Sequence, residues 1–220
     1  PTPFVTPAPP TPSTSSAGAD YTETAGGAEI RMIWIPGGTF QMGSPSSEAE
    51  RDDDEGPVHS VALDGFWMAQ TETTQGQYRA ITGARPSHFS GSADLPVEQV
   101  SWNDAVEFCR KLSGLSSGRT YTLPTEAEWE YACRAGSQAA YCFGNSEGQL
   151  DDYAWYDDNS GGETHPVRQK RPNAFGLYDM HGNVWEWCAD WYADDYYAAS
   201  PSRNPAGASS GSNRVNRGGS

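Results

Sequence analysis

The sequence predicts a loop-rich fold of mixed strand and helix with little regular secondary structure, and three observations predict it. Twenty-four Gly and sixteen Pro punctuate a chain of 220 residues, which leaves room for short elements and many turns. Short apolar alternations come first, and three capped helical segments follow them. Beyond Gly136 neither period survives, and the chain becomes rich in Gly, Asn, Asp, Tyr and Trp. Long stretches of that kind in a compact domain are usually functional or supported by ions.

Residues 1–27 open with six prolines in the first twelve positions and continue in Ser, Thr, Ala and Gly. That composition predicts a disordered, extended linker. Such a linker is expected to tether the domain to an anchor or to a further domain. Its composition favours an extracellular, periplasmic or cell-surface setting and leaves a cytoplasmic one open. The folded domain is expected over 28–220. Residues 31–36 and 39–43 read as two short strands about the Gly37-Gly38 turn. Residues 44–56 form an acidic, exposed loop, and 59–70 alternate around Val61, Leu63, Phe66 and Met68 as one strand.

Helices are expected over 73–82, 101–113 and 125–135. Ser101 with Asp104, and Thr125 with Glu128, have the spacing of a capping box, and Gly136 is placed to end the third helix. The carboxylates of Glu126 and Glu128 are therefore assigned to the helix start rather than to acid–base chemistry.

Composition excludes several classes. A net charge of −15 leaves no basic stripe for nucleic acid and disfavours docking on anionic lipid. No apolar run approaches the roughly 20 residues of a membrane span, so no direct insertion is expected. With apolar residues at 36%, the core must lean on its aromatics. Cys109, Cys133, Cys142 and Cys188 lack C-x-x-C spacing, so zinc is not indicated. They read as buried apolar thiols, as a disulfide such as Cys133–Cys142, or as halves of bonds to a segment missing from this sequence. His59, His88, His165 and His181 are scattered and are assigned structural roles. Trp185, Trp187 and Trp191 are assigned to core packing.

The motifs are informative as an ordered series. Residues 32–43 (MIWIPGGTFQMG) come first, then Glu72-Thr73-Thr74, then Val100-Ser101-Trp102-Asn103-Asp104-Ala105. Residues 123–132 (LPTEAEWEYA), 173–180 (NAFGLYDM) and 181–187 (HGNVWEW) follow, and Arg217-Gly218-Gly219-Ser220 completes the set. The series, spanning roughly 28–220, closely resembles the formylglycine-generating enzyme (sulfatase-modifying factor) family. The resemblance implies a loop-rich α+β variant of the C-type-lectin-like fold. It also implies oxidation of a sulfatase-type cysteine to formylglycine with copper and O2. Ser220 matches the motif serine beside the family's reaction centre. The two copper(I)-binding thiolates would fall beyond residue 220, so the domain is expected to lack its C-terminal end and this chain alone to be inactive.

The resemblance further implies calcium at a bend, through the side chains of Asp179 and Glu186 and the carbonyls of Gly182 and Val184. Hard carboxylate and carbonyl oxygen suits that ion, although Glu186 bonding loop amides and Asp179 capping a turn would explain the same residues. A second cation site of the family would fall near 153–159, where Trp155 replaces an expected Asn, and is not carried over. Two readings follow: the oxidoreductase acting on a cysteine peptide, or a non-catalytic module binding a protein or peptide ligand. The latter resembles the variable proteins of diversity-generating retroelements, with residues 213–220 matching their Asn-Arg-Val-x-Arg-Gly-Gly-Ser-like stretch.

Overall fold

A computed structural model describes residues 18–48 and 51–219. Residues 1–17 of the expected linker and the predicted catalytic Ser220 lie outside these described residues. The fold is α+β, as predicted, with three small antiparallel sheets and short helices joined by long irregular segments.

The first sheet has the order β1 (Tyr21–Ala25), β2 (Ala28–Ile35), β5 (Phe66–Ala69). β1 corrects the expected linker, because residues 21–25 are not extended tether but an edge strand paired with β2 from Tyr21↔Met32 to Ala25↔Ala28. The physical signal was the Gly26-Gly27 pair. Both adopt positive φ, 58° and 86°, which is what a two-residue hairpin turn demands.

β2 changes the side it buries halfway along its length. Ile30 and Met32 face a cluster with Tyr78, Ile81, Phe108 and Leu112. Ile33 and Ile35 face a second cluster with Val61, Trp129, Leu177 and Cys188. One strand therefore divides two cores.

β3 (Gly38–Met42) pairs with β4 (His59–Leu63), not with β2. The expected hairpin about Gly37-Gly38 is thus a crossing between sheets. The strand expected over 59–70 is likewise broken at Asp64-Gly65 into β4 and β5, which belong to different sheets. Alternation alone cannot distinguish one long strand from two that change partners.

The three helices form as predicted: α1 (Gln75–Thr82), α2 (Trp102–Leu115) and α3 (Glu126–Arg134). Each starts at a reciprocal capping box. The Thr74, Ser101 and Thr125 hydroxyls accept from the amides of Gln77, Asp104 and Glu128, and those three side chains reach back to the cap amides. At the end of α3 the left-handed turn begins at Ala135, one residue before Gly136.

After Gly136 come two single helical turns, α4 (Leu150–Tyr153) and α5 (Asp157–Ser160), then β6 (Glu186–Trp191), α6 (Tyr196–Ala199) and β7 (Arg214–Arg217). β6 and β7 pair antiparallel with an irregularity between Trp187 and Trp191. The chain was expected to be unstructured here. β6 is tied to the helix starts by Trp187 Nε1 donating to Val100 O at 3.1 Å and Trp102 Nε1 donating to Cys188 O at 2.8 Å. Among the described residues no helix is long and apolar enough to cross a membrane.

Candidate functional site

The bend over 179–186 is built from polar side chains. Asn173 anchors its approach by donating to the Ala132 carbonyl at 2.7 Å and the Cys133 carbonyl at 3.2 Å, while its own oxygen accepts from the Phe175 and Leu177 amides. Asp179 then enters the left-handed region at φ 62°, and its Oδ2 accepts from the Arg168 amide at 2.9 Å. At Gly182 the chain presses against Trp155, and a Cβ placed there would lie 2.0 Å from the Trp155 carbonyl oxygen. No side chain fits. Asn183 follows at φ 74°. Its amide donates to Trp155 O, its Oδ1 accepts from the His165 amide, and its Nδ2 donates to His165 O and to Glu72 Oε2. The Val184 amide donates to the other oxygen of Glu72 at 3.0 Å.

The structure thus brings the four predicted cation-site residues onto one bend and adds two that residue-level reasoning missed, Glu72 and Asn183. Glu72 lies more than a hundred positions upstream, so spacing could not find it. Its only signal was membership of the Glu72-Thr73-Thr74 motif.

Electrostatics set this bend apart. Burial pushes the Glu72 carboxyl well above the usual range, and the charges of Asp179 and Glu186 push it further; the Asn183 amide and Val184 N–H oppose them. Burial takes Glu186 up to about 7, opposed by the Trp129 indole and reinforced by Asp179. Asp179 is raised by burial, against the Arg168 amide and charge. Burial favours the protonated form of all three, and like charge adds to it at Glu72 and Glu186. Among the described residues none of the three has a salt-bridge partner.

Asp179 Oδ1 is also buried with no hydrogen-bond partner, a condition that ordinarily costs a few kcal/mol. Among the described residues no three Asp, Glu, His or Cys side chains converge tightly enough to cage a metal by themselves. The Gly182 and Val184 carbonyls would have to complete the set, as in sites that mix carboxylate and backbone oxygen. The orphaned Asp179 oxygen fits an oxygen-ligated divalent cation.

The end of the described chain abuts this bend. Glu186 stands opposite Arg217 in the β6–β7 register, and a Cβ on Gly218 would lie 3.2 Å from the Val184 carbonyl oxygen. Arg217 is held by Glu130 Oε2 at 2.8 Å and lies 3.6 Å from Glu126 Oε1. Glu130 also receives Arg134 Nε and the Gly43 amide, both on Oε1. The strand entering the Gly-Gly-Ser motif is therefore fixed by a buried ionic cluster.

The described cysteines do not fit a copper(I) bis-thiolate. All four are free. Burial pushes the thiols of Cys109 and Cys142 up to about 11 and those of Cys133 and Cys188 higher still. Copper(I) takes thiolate rather than thiol.

A groove of about 750 Å³ runs between the first sheet, α2 and the 178–187 segment. Glu72, Val184 and Glu186 belong to its wall, together with Tyr178, Trp185 and Trp187. Trp185 is 58% exposed, contrary to its expected core role; it projects beside the groove while Trp187 is bound to Val100. Trp191 is covered by the Arg214 guanidinium at 3.4 Å from its ring centre.

An α+β scaffold with a Gly-tight acidic bend beside an Arg-Gly-Gly strand end defines a class, the sulfatase-modifying-factor type of domain. The chain belongs to that family: residues 19–220 match the sulfatase-modifying factor enzyme 1-like domain. It is 32% identical to the formylglycine-generating enzyme of Streptomyces coelicolor, over 86% of this chain and 78% of that protein. Among solved structures it is similar to Treponema denticola variable protein 1, with TM-score 0.80 and 34% identity over 92% of this chain and 87% of that one. It is also similar to PvdO from Pseudomonas aeruginosa, with TM-score 0.82 and 31% identity over 94% of this chain and 87% of that one.

Proposed function

We propose that the domain is a calcium-ordered scaffold that seats an extended segment of another polypeptide in the groove walled by residues 178–187. One observation carries the reading: Glu72, Val184 and Glu186 belong at once to the candidate cation bend and to the groove wall. A bound divalent cation would supply the positive charge that the three carboxylates lack. The chain's own residues do the rest. Asn183 and Gly182 set the bend against Trp155, the Glu72 carboxylate holds the Val184 amide, and Trp185 offers a flat face at the groove. The groove volume lies within the range of about 300–1,000 Å³ typical of ligand sites. An exposed indole suits proline, aromatic or cationic side chains, and a net charge of −15 favours a basic segment over an acidic one.

A second reading is supported by the identity to a formylglycine-generating enzyme: the seated segment carries a cysteine that the intact protein oxidises to formylglycine, with Ser220 beside the reacting atom. One experiment separates them. The full-length protein is incubated with calcium, copper and a Cys-x-Pro-x-Arg peptide; binding is followed by Trp fluorescence and the peptide by mass spectrometry. Binding without chemical change supports the module, and conversion of the thiol to the aldehyde supports the oxidase. Absence of both, in calcium as in chelator, sinks both.

A further inference from the structure

Away from the groove, His181 joins two cysteines that lie nine positions apart in the sequence. Cys133 is buried in the last turn of α3 and its thiol donates to the Met180 carbonyl at 3.6 Å. Its sulfur lies 3.7 Å from His181 Nδ1 and 4.0 Å from Nε2. That same Nε2 accepts from the Cys142 amide at 3.2 Å. The imidazole is thus the tautomer with its proton on Nδ1, and the Cys133 sulfur, nearly equidistant from the two nitrogens, packs against the ring. Cys142 sits at the tip of a tight two-residue turn closed by Tyr141 N to Gly144 O at 3.0 Å and Gly144 N to Tyr141 O at 3.2 Å. The stacked rings of Tyr141 and Phe143 flank His181 edge-on. The Cys133 sulfur and the Cys142 amide nitrogen thus meet the same ring, 4.0 Å and 3.2 Å from His181 Nε2. Cys142 is half-buried while Cys133 is enclosed, so an oxidant meets the turn first.

We propose that Cys133 and Cys142 form a reversible disulfide under hydroperoxide, with His181 as the residue that positions both. The Cys142 sulfur attacks the peroxide oxygen, the O–O bond breaks, and Cys142 becomes a sulfenic acid with release of one water. The Cys133 sulfur then attacks the Cys142 sulfur; hydroxide leaves and takes the Cys133 proton as a second water. Two thiols are oxidised by two electrons and one peroxide is reduced. The bond ties the end of α3 to the 141–144 turn. Because Cys133 and His181 also hold Met180 and the start of the 179–186 bend, oxidation stiffens the wall on the side away from the groove.

The purified protein is treated with hydrogen peroxide under native conditions, digested with trypsin without reduction and analysed by mass spectrometry. The expected product joins residues 120–134 to residues 135–168, is two hydrogens lighter than the separate peptides and is reversed by dithiothreitol. It is absent from Cys142→Ser. Its initial rate should rise about tenfold per pH unit between roughly pH 7 and 9, as the Cys142 thiolate becomes available. A Cys142 that stops at sulfinic acid, a bridge to Cys109 or Cys188, or a rate flat with pH would overturn the proposal. Wild-type protein suffices for these readings, so misfolding of a variant does not obscure them.

Discussion

In the half built from β1, β2, β5, α1 and α2, order comes from apolar alternation and reciprocal caps. Ile30, Met32, Tyr78, Phe108 and Leu112 meet in one cluster, and most backbone groups pair within a strand ladder or helix, with side chains serving mainly the helix starts. From Gly136 onward, backbone groups find side chains instead. Asn173 serves two carbonyls and two amides, Asn183 serves His165 and Glu72, and Glu72 receives an amide. The first half can be changed piecemeal. The second half is a network in which one member's loss leaves several buried partners unmet.

That contrast is broken most directly at the tightest contact. Gly182→Ala would drive a methyl into the Trp155 carbonyl, and the bend cannot yield without releasing the Asn183 and Glu72 bonds. A loss of about 4 kcal/mol is expected by urea unfolding, with β6 losing hydrogen-exchange protection before α1. Equal protection in both would remove the distinction between the halves.

A smaller effect follows from Glu126, which links α3 to the irregular half. Burial, opposed by Arg217 and helped by Glu130 and Asp190, takes its carboxyl up to about 7. An acid whose folded pKa exceeds its unfolded one holds its proton more tightly in the native state. Its contribution is therefore complete at low pH and is lost as pH rises from the ordinary carboxylate range to about 7. Glu126→Gln should flatten that fall by roughly 3–4 kcal/mol, measured as unfolding free energy against pH. An unchanged slope would place the titration elsewhere.

The smallest effect belongs to the regular half. Ser101→Ala removes one hydroxyl that accepts the Asp104 amide and should cost about 1 kcal/mol, equally in calcium and in chelator. A calcium-dependent loss there would mean that the bend's order reaches the cap through the Trp187–Val100 and Trp102–Cys188 bonds.

The same contrast explains what the sequence disclosed. Capping boxes at Ser101 and Thr125 are local, three residues apart, and were legible. So was the ordered motif series that places Asp179, Gly182, Val184 and Glu186 on one bend. Partner exchange at Gly37-Gly38 and Asp64-Gly65 was not, because alternation records which side chains are buried and not which strand they pair with. β1 was overlooked because its Thr-rich segment continues the composition of residues 1–20, and only Gly26-Gly27 betrays the turn. Glu72 and Asn183 escaped residue-level reasoning because their bond joins positions far apart in the chain, and the pairing of His181 with two cysteines escaped for the same reason.

The central claim is that a divalent cation bound by oxygen ligands supports the bend beside the groove, and calorimetric titration of chelator-stripped protein with calcium tests it most directly. One ion should bind per chain, with a higher melting temperature in calcium than in chelator, and both should be lost in Glu186→Gln, whose melting no longer depends on calcium. No heat of binding, with wild type and variant melting alike in calcium and in chelator, would contradict it.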